Sequence, residues 1–263
     1  MQKKTSLIAK AKGFIQTAKD YWHVPPKGNH IPYKEIPLKE DFSIDIEDYC
    51  NIGMNIVIAN PNAPTGLALS YDDVEKIVSS NPDNLVIMDE AYMAFCGESC
   101  MELVRKYDNL LVTRTFSKSH SLAGLRVGFG IGSKEIIDDL NKLKYSFNPY
   151  NLNTLSIKAA AAAIADNEYY DDKIARIVAT REKTIAQLRE MGFVCTDSKA
   201  NFIFASSDKI AACDLAAELR KKGILVRYFN KAKIDNYLRI TVGTDDEMQT
   251  LINAVKEIIN ERS

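Results

Sequence analysis

Short apolar runs separated by polar, turn-rich stretches dominate the first half of the chain. Residues 55–59 (NIVIA), 85–88 (LVIM) and 110–112 (LLV) are continuous rather than alternating, the pattern of strands covered on both faces. Between the first two, Ser70 and Asp73 make a capping-box start for a helix that carries Ile77 and Val78. Between the second and third, the spacing predicts a helix near 99–107. Strands alternating with helices at this interval predict an α/β fold with a mostly parallel sheet between helical layers. Ahead of them, residues 31–38 (IPYKEIPL) read as a short strand whose two prolines confine it to an edge or an irregular position.

Beyond residue 132 the pattern changes. Ser133 caps a helix predicted to reach Lys144, and residues 147–153 (FNPYNLN) form a polar aromatic loop. An alanine-rich helix over 155–165 follows, then a long one over 169–191 stopped by Gly192. The remainder reads strand (193–195), strand (201–205), helix (210–222, stopped by Gly223), strand (224–228), strand (237–242) and helix (245–259). Thr244 and Glu247 supply a capping box for the last helix. This half is a smaller α+β unit. The expected organisation is a divergent basic segment over 1–30, a large-domain portion over 31–150, and connecting helices with a small domain over 151–263.

The first 30 residues differ in charge from the rest of the chain, with six lysines against one acid, Asp20. Leu7, Ile8, Phe14, Ile15 and Trp22 fall roughly on one side of a helix that Pro25 and Pro26 end. A basic amphipathic helix can lie on a membrane or a partner; the reading adopted is that it covers an apolar patch of its own protein.

Composition narrows the class without choosing a function. Apolar residues make up 46% and charged residues 26% of 263, with a formal net charge of −1, which is globular and excludes nucleic acid or a membrane surface as an expected partner. No run reaches the length of a spanning helix, and the start lacks the apolar core of a secretory signal. Five scattered cysteines point to free thiols in a reducing compartment, hence a cytoplasmic protein. Cys96 and Cys100 are close, but no histidine lies nearby and no second pair completes a metal site, so no metal is expected.

Candidate chemistry collects at the carboxyl ends of the buried strands, where open α/β sheets bind ligands. NPNAPTG (60–66), Asp89 at the tip of LVIMD, and the loop Thr115 to Lys118 all fall there. In VTRTFSKSHSLAGLRVGFGIG (112–132), Lys118 follows two hydroxyls, Thr115 and Ser117, and Arg126 lies eight residues on. Hydroxyls and a guanidinium fork match the oxygens of a phosphate, and a lysine amine can form a Schiff base with a carbonyl such as pyridoxal phosphate (PLP). An exposed polar turn would use the same residue types. LVIMDEA imitates the Asp-Glu strand of an ATPase, but the chain has no G-x-x-x-x-G-K-[ST] loop. Gly128, Gly130 and Gly132 have the wrong spacing for a dinucleotide fingerprint and lie inside a predicted strand.

Taken in order, NPNAPTG, LVIMDEAY, TRTFSKSHSLAGLRVGFGIG, NPYNLN, SKANFIF and YLRITVG resemble the fold-type I aminotransferases, and within them the histidinol-phosphate aminotransferases. The resemblance runs from about residue 31 to the end of the chain. It implies a three-layer PLP-dependent transferase-like large domain, with an incomplete, mostly parallel sheet, and a smaller α+β C-terminal domain. It implies PLP as cofactor, with Lys118 as the Schiff-base lysine that also shuttles a proton. Asp89 would keep the pyridine nitrogen protonated, since a carboxylate beside that cation favours the charged form. Tyr92 would bond the ring's O3′, and Thr115, Ser117 and Arg126 would bind the phosphate. Family members carry an asparagine where this chain has Ala63, so Asn62 is the substitute for that O3′ bond. Arg239 would face the substrate's anionic group, with Asn201 and Arg227 as neighbours.

The reaction implied moves an amino group between histidinol phosphate and 2-oxoglutarate, in histidine biosynthesis, giving imidazole acetol phosphate and glutamate in a homodimer. Two readings compete: a shortened relative that keeps the fold without catalysis, or serves as an assembly partner, and a related PLP enzyme such as a threonine-phosphate decarboxylase. The family's long leading section supplies an arm to the partner subunit, a glycine-containing helix start for the cofactor phosphate, a ring-stacking aromatic and two strands. None is recognisable in residues 1–30. One of those strands lies between the 31–38 and 55–59 strands, so the sheet is expected to be re-paired or left with a raw edge. Residues 1–30 and a partner chain are the two candidates to cover it.

Overall fold

The computed structural model describes residues 14–16, 32–150 and 152–262. The chain divides into two compact units, residues 1–63 with 68–167 and residues 64–67 with 168–263.

The first unit is built on six strands: β1 (Phe14–Gln16), β2 (Tyr33–Glu35), β3 (Asn55–Ala59), β4 (Val86–Asp89), β5 (Leu110–Thr115) and β6 (Gly128–Gly132), in the order β2-β1-β3-β4-β5-β6. All neighbours run parallel except β6, which is antiparallel to β5. The apolar runs explain the centre of this sheet. Ile56, Ile58, Val86, Met88, Leu110 and Val112 are buried against Val74, Ile77 and Val78 of α1 (Tyr71–Ser79), and against Cys100 and Leu103. Burying one such aliphatic side chain contributes about 1.5–3 kcal/mol, so these positions fix the strand registers. The capping box of α1 is complete: Ser70 Oγ accepts the Asp73 amide at 3.1 Å and Asp73 Oδ2 accepts the Ser70 amide at 3.3 Å. The segment expected as a helix near 99–107 is a tighter 3-10 helix, Cys100–Arg105. After β6 come α2 (Lys134–Phe147), capped by Ser133, and α3 (Thr154–Ala165), capped by Asn153. Phe116, Val127 and Ala160 form a separate buried cluster with Leu122, Leu125 and Leu152 packed on it.

The gap anticipated between the first two strand regions is filled from within the chain. Phe14 pairs with both Tyr33 and Asn55, and Ile15 with Lys34 and Ile56, so β1 lies between β2 and β3. Residues 14–16 are therefore a strand and not part of the helix expected there. The reason is non-local: without β1, the facing edges of β2 and β3 would carry unpaired backbone donors and acceptors, a larger demand than the weak helical periodicity of a few apolar residues. Leu7, Ile8, Trp22 and the Pro25–Pro26 stop lie outside the described residues. β2 takes the sheet edge, with Pro32 and Pro37 just outside its paired residues.

The second unit carries α4 (Asn167–Glu190), β7 (Val194–Cys195), β8 (Phe202–Ser206), α5 (Ala212–Lys221), β9 (Arg227–Tyr228), β10 (Tyr237–Thr241) and α6 (Asp245–Asn260). Its sheet is antiparallel, in the order β7-β8-β10-β9. Ile203, Ala205, Leu238 and Ile240 bury one face under Ile185, Leu188, Leu215, Leu219, Leu251, Ile252 and Val255 of the helices. No helix among the described residues is long and apolar enough to cross a membrane. All five cysteines are free thiols.

Residues 64–67 belong to this second unit. Thr196 Oγ1 donates to Thr65 O at 2.6 Å, and Lys199 N donates to Gly66 O at 2.7 Å. Gly66 has φ of +75°, and a Cβ there would lie 2.1 Å from Ser198 Oγ and 3.0 Å from Ser198 Cα. Gly66→Ala is expected to destabilise the chain by about 2–4 kcal/mol, from left-handed strain plus overpacking. Urea unfolding measures this, and a loss below about 1 kcal/mol would show that the 196–199 segment yields freely.

Candidate active site

Parallel pairing aligns the strand tips. Ala59 stands opposite Asp89 and Asp89 opposite Thr113, so the turn beginning at Asn60, the Asp89 tip and the loop after Thr115 leave the sheet along one edge. The ladder continues into the turns: Asn60 N donates to Asp89 O at 2.9 Å and Glu90 N to Thr113 O at 2.8 Å. Side chains alternate along a strand, which puts Asp89, Thr113 and Thr115 on one face and Glu90 and Arg114 on the other.

On the first face, Asp89 Oδ1 accepts the Ala91 amide at 3.2 Å and the Thr113 hydroxyl at 3.4 Å. Burial raises the Asp89 pKa above the ordinary carboxylate value; the Ala91 and Thr113 hydrogen bonds oppose the rise and the charge of Glu90 adds to it. Tyr92 is buried, and Lys118 Nζ lies 5.3 Å from its ring centroid, within cation–π range. Thr115 Oγ1 donates to Ser117 Oγ at 2.8 Å and accepts the Ser117 amide at 3.1 Å, so the two hydroxyls are clustered by their own turn. Lys118, next in the chain, is exposed. Arg126 holds a left-handed backbone, φ 56° and ψ 39°, and its Nη1 donates to Ala123 O at 3.2 Å. Its guanidinium is thus bonded to its own turn rather than to Thr115 or Ser117. Ser121 is also at φ 56°, so two non-glycine residues in a region costing about 1–3 kcal/mol each flank the short turn that follows Lys118. Asn62 and Ala63 are both buried in the turn after β3.

The second unit holds the remaining three predicted residues. Arg239 of β10 stands directly opposite Arg227 of β9, on the sheet face away from the helices. Aromatic rings line that face: the Arg239 guanidinium lies 5.3 Å from the Phe202 centroid and 5.9 Å from that of Phe229, and the Arg227 guanidinium is 5.6 Å from Phe229. Phe204 stacks on Tyr237 at 4.5 Å. The two guanidinium groups are like charges directly opposite across this ladder. Asn201 sits apart, at the end of the ladder before β8, where its carbonyl accepts the Val242 amide at 3.0 Å.

Sequence reasoning assigned nothing to Glu90 and Arg114. Glu90 is fully buried and ion-paired with Arg114 at 2.8 Å. A signal existed: an acid next to Asp89 and an arginine next to Thr115, each one residue out of phase with the site face.

Known proteins share both the sequence and the fold. The family model for aminotransferase class I and II matches residues 27–255. The chain is 54% identical over 226 residues to the histidinol-phosphate aminotransferase of Brachyspira hyodysenteriae, covering 86% of this chain and 64% of that relative. It is 49% identical over 224 residues to the histidinol-phosphate aminotransferase of Clostridium acetobutylicum, covering 85% and 64%. The solved histidinol-phosphate aminotransferase from Clostridium acetobutylicum superposes with a TM-score of 0.85 at 23% identity, over 97% of this chain and 82% of that one, a likeness of fold. The chain spans 64% of the length of both curated relatives.

Proposed function

Because the chain belongs to the class I and II aminotransferase family, we propose that it is a shortened, PLP-dependent aminotransferase of the histidinol-phosphate type. The observation that carries the reading is the Lys118 amine over the Tyr92 ring at 5.3 Å, beside a strand edge that also presents Asp89, Thr115 and Ser117. The donor set suits PLP: an amine for the aldehyde, a buried acid for the ring nitrogen, and clustered hydroxyls for the phosphate. Bound there, PLP would supply an electron sink for the negative charge that develops at the substrate's Cα.

The chain's own residues divide the work. Lys118 would hold PLP through its amine and would be the group placed to carry a proton at the substrate's Cα. Asp89 would face the ring nitrogen, where a carboxylate favours the protonated ring. Tyr92 would donate to O3′, and Asn62 would be the second group for that oxygen in place of the asparagine that Ala63 replaces. Thr115 and Ser117 would hold the cofactor phosphate, joined by Arg126 once its guanidinium leaves Ala123 O. Arg239 and Arg227 take the substrate's anionic groups, for which two facing guanidinium forks are suited, with Asn201 beyond the end of the neighbouring β8–β10 ladder as the third group. The amino group passes from histidinol phosphate to 2-oxoglutarate, yielding imidazole acetol phosphate and glutamate. The protein acts as a homodimer in the cytoplasm. Support for this substrate comes from the two relatives, both histidinol-phosphate aminotransferases at about half identity.

The test is chemical. Borohydride reduction of the chain with PLP is expected to add the cofactor's mass to the peptide containing Lys118, and amino transfer to 2-oxoglutarate is expected without carbon dioxide release. An unaltered mass refutes the PLP reading. Carbon dioxide in place of glutamate would assign the site to a decarboxylase.

A further inference from the structure

Behind the site face, Glu90 collects four donors. Its Oε2 accepts Ser99 Oγ at 2.6 Å, Arg114 Nη2 at 2.8 Å and Arg114 Nε at 3.0 Å, and its Oε1 accepts the Cys100 amide at 2.8 Å. The carboxylate is 0% exposed and the Arg114 side chain 26%. The Glu90 backbone is tied as firmly: its amide donates to Thr113 O at 2.8 Å and its carbonyl accepts the Met93 amide at 3.2 Å, closing the turn that carries Tyr92. Glu90 follows Asp89 directly, and Arg114 directly precedes Thr115.

We propose that Glu90 and Arg114 are a positioning pair, which fixes from the far face of the sheet the spacing between the tip bearing Asp89 and Tyr92 and the loop bearing Thr115, Ser117 and Lys118. The inference rests on the PLP reading above. Two guanidinium nitrogens converging on one carboxylate oxygen fix orientation as well as distance, which a lysine's single mobile amine does not. Each partner is one residue, about 3.3 Å of strand, from a group that would touch the cofactor. A displacement of about 1 Å at such groups can cost about 100-fold in rate. A buried pair of this kind is a poor source of net stability, because desolvation offsets its attraction. Removing both charges is therefore tolerable to the fold, and what is lost is register.

That asymmetry supplies the experiment. Apo chains of wild type, Arg114→Lys and the double variant Glu90→Gln/Arg114→Met are compared by thermal melting and by equilibrium dialysis against PLP, with Lys118→Ala as the control for specific uptake. The double variant leaves no buried charge unpaired and is expected to melt close to wild type, while binding PLP about tenfold more weakly. Arg114→Lys, which keeps the charge and loses the fork, is expected to show the same weakening. Wild-type PLP affinity in either folded variant overturns the proposal, as does weakening that only tracks a fall in melting temperature across the set. A wild-type chain that takes up no PLP beyond the Lys118→Ala control overturns the functional reading, and this inference with it.

Discussion

Lys118→Ala is expected to lower kcat/KM for amino transfer by about 10⁴-fold or more and to leave the fold unchanged. The size reflects the loss of both roles proposed for Lys118, the nucleophile toward the aldehyde and the base at Cα, the second alone worth about 10²–10⁴-fold. The harmlessness to the fold is a matter of position. Lys118 is an exposed residue in the loop after β5, and its contact with the Tyr92 ring contributes about 0.5–1 kcal/mol. Steady-state kinetics with histidinol phosphate and 2-oxoglutarate, alongside a melting curve, separates the two effects. A variant within tenfold of wild type would remove Lys118 from the chemistry. A variant that fails to fold would show that the loop, and not the amine, was being measured.

Asp89→Asn is expected to cost about 10²–10³-fold in kcat, the usual loss when one preorganised charge at a reacting system is neutralised. It should also make the apo chain more stable at neutral pH. The sign comes from the raised pKa of Asp89, caused first by burial. The folded carboxyl binds its proton more tightly than the unfolded one, whose value is near 3.8. Stability therefore falls as pH rises from that value through the raised one, and above it the penalty of the buried charge is fully present. Asparagine removes the charge, keeps the size, and keeps an oxygen for the Ala91 amide and the Thr113 hydroxyl. The melting temperature of the variant minus that of wild type should rise with pH across that window, since only wild type carries the Asp89 charge. A variant both inactive and less stable at neutral pH would make Asp89 a structural acid. A variant that is active would remove its proposed role at the ring nitrogen.

The penalty of burying the Asp89 charge falls at one of the strand ends where the sequence places the candidate site. Groups held in unfavourable settings, the buried carboxylate and the left-handed Arg126, stand where the packing rules fail, at the ends of runs that obey them. The apolar runs predicted β3, β4 and β5, and the capping pairs Ser70–Asp73 and Thr244–Glu247 predicted the starts of α1 and α6, each as observed. The 99–107 segment shows the limit. Its spacing was helical, but the segment packed under β5 forms as a six-residue 3-10 helix.

The sequence by itself determined which segments are buried strands, where the helices begin, and that Lys118, Asp89 and the hydroxyls of Thr115 and Ser117 stand at strand ends. Those features depend on periodicity and caps, energies that act over a few residues. Tertiary structure alone decided that Phe14–Gln16 would be a strand between β2 and β3, that Arg227 would face Arg239, and that Glu90 would meet Arg114 behind the site. Each of these joins residues a dozen or more positions apart through backbone ladders or buried charge. No local pattern contains such a pairing, because its energy exists only once the partner strand has arrived.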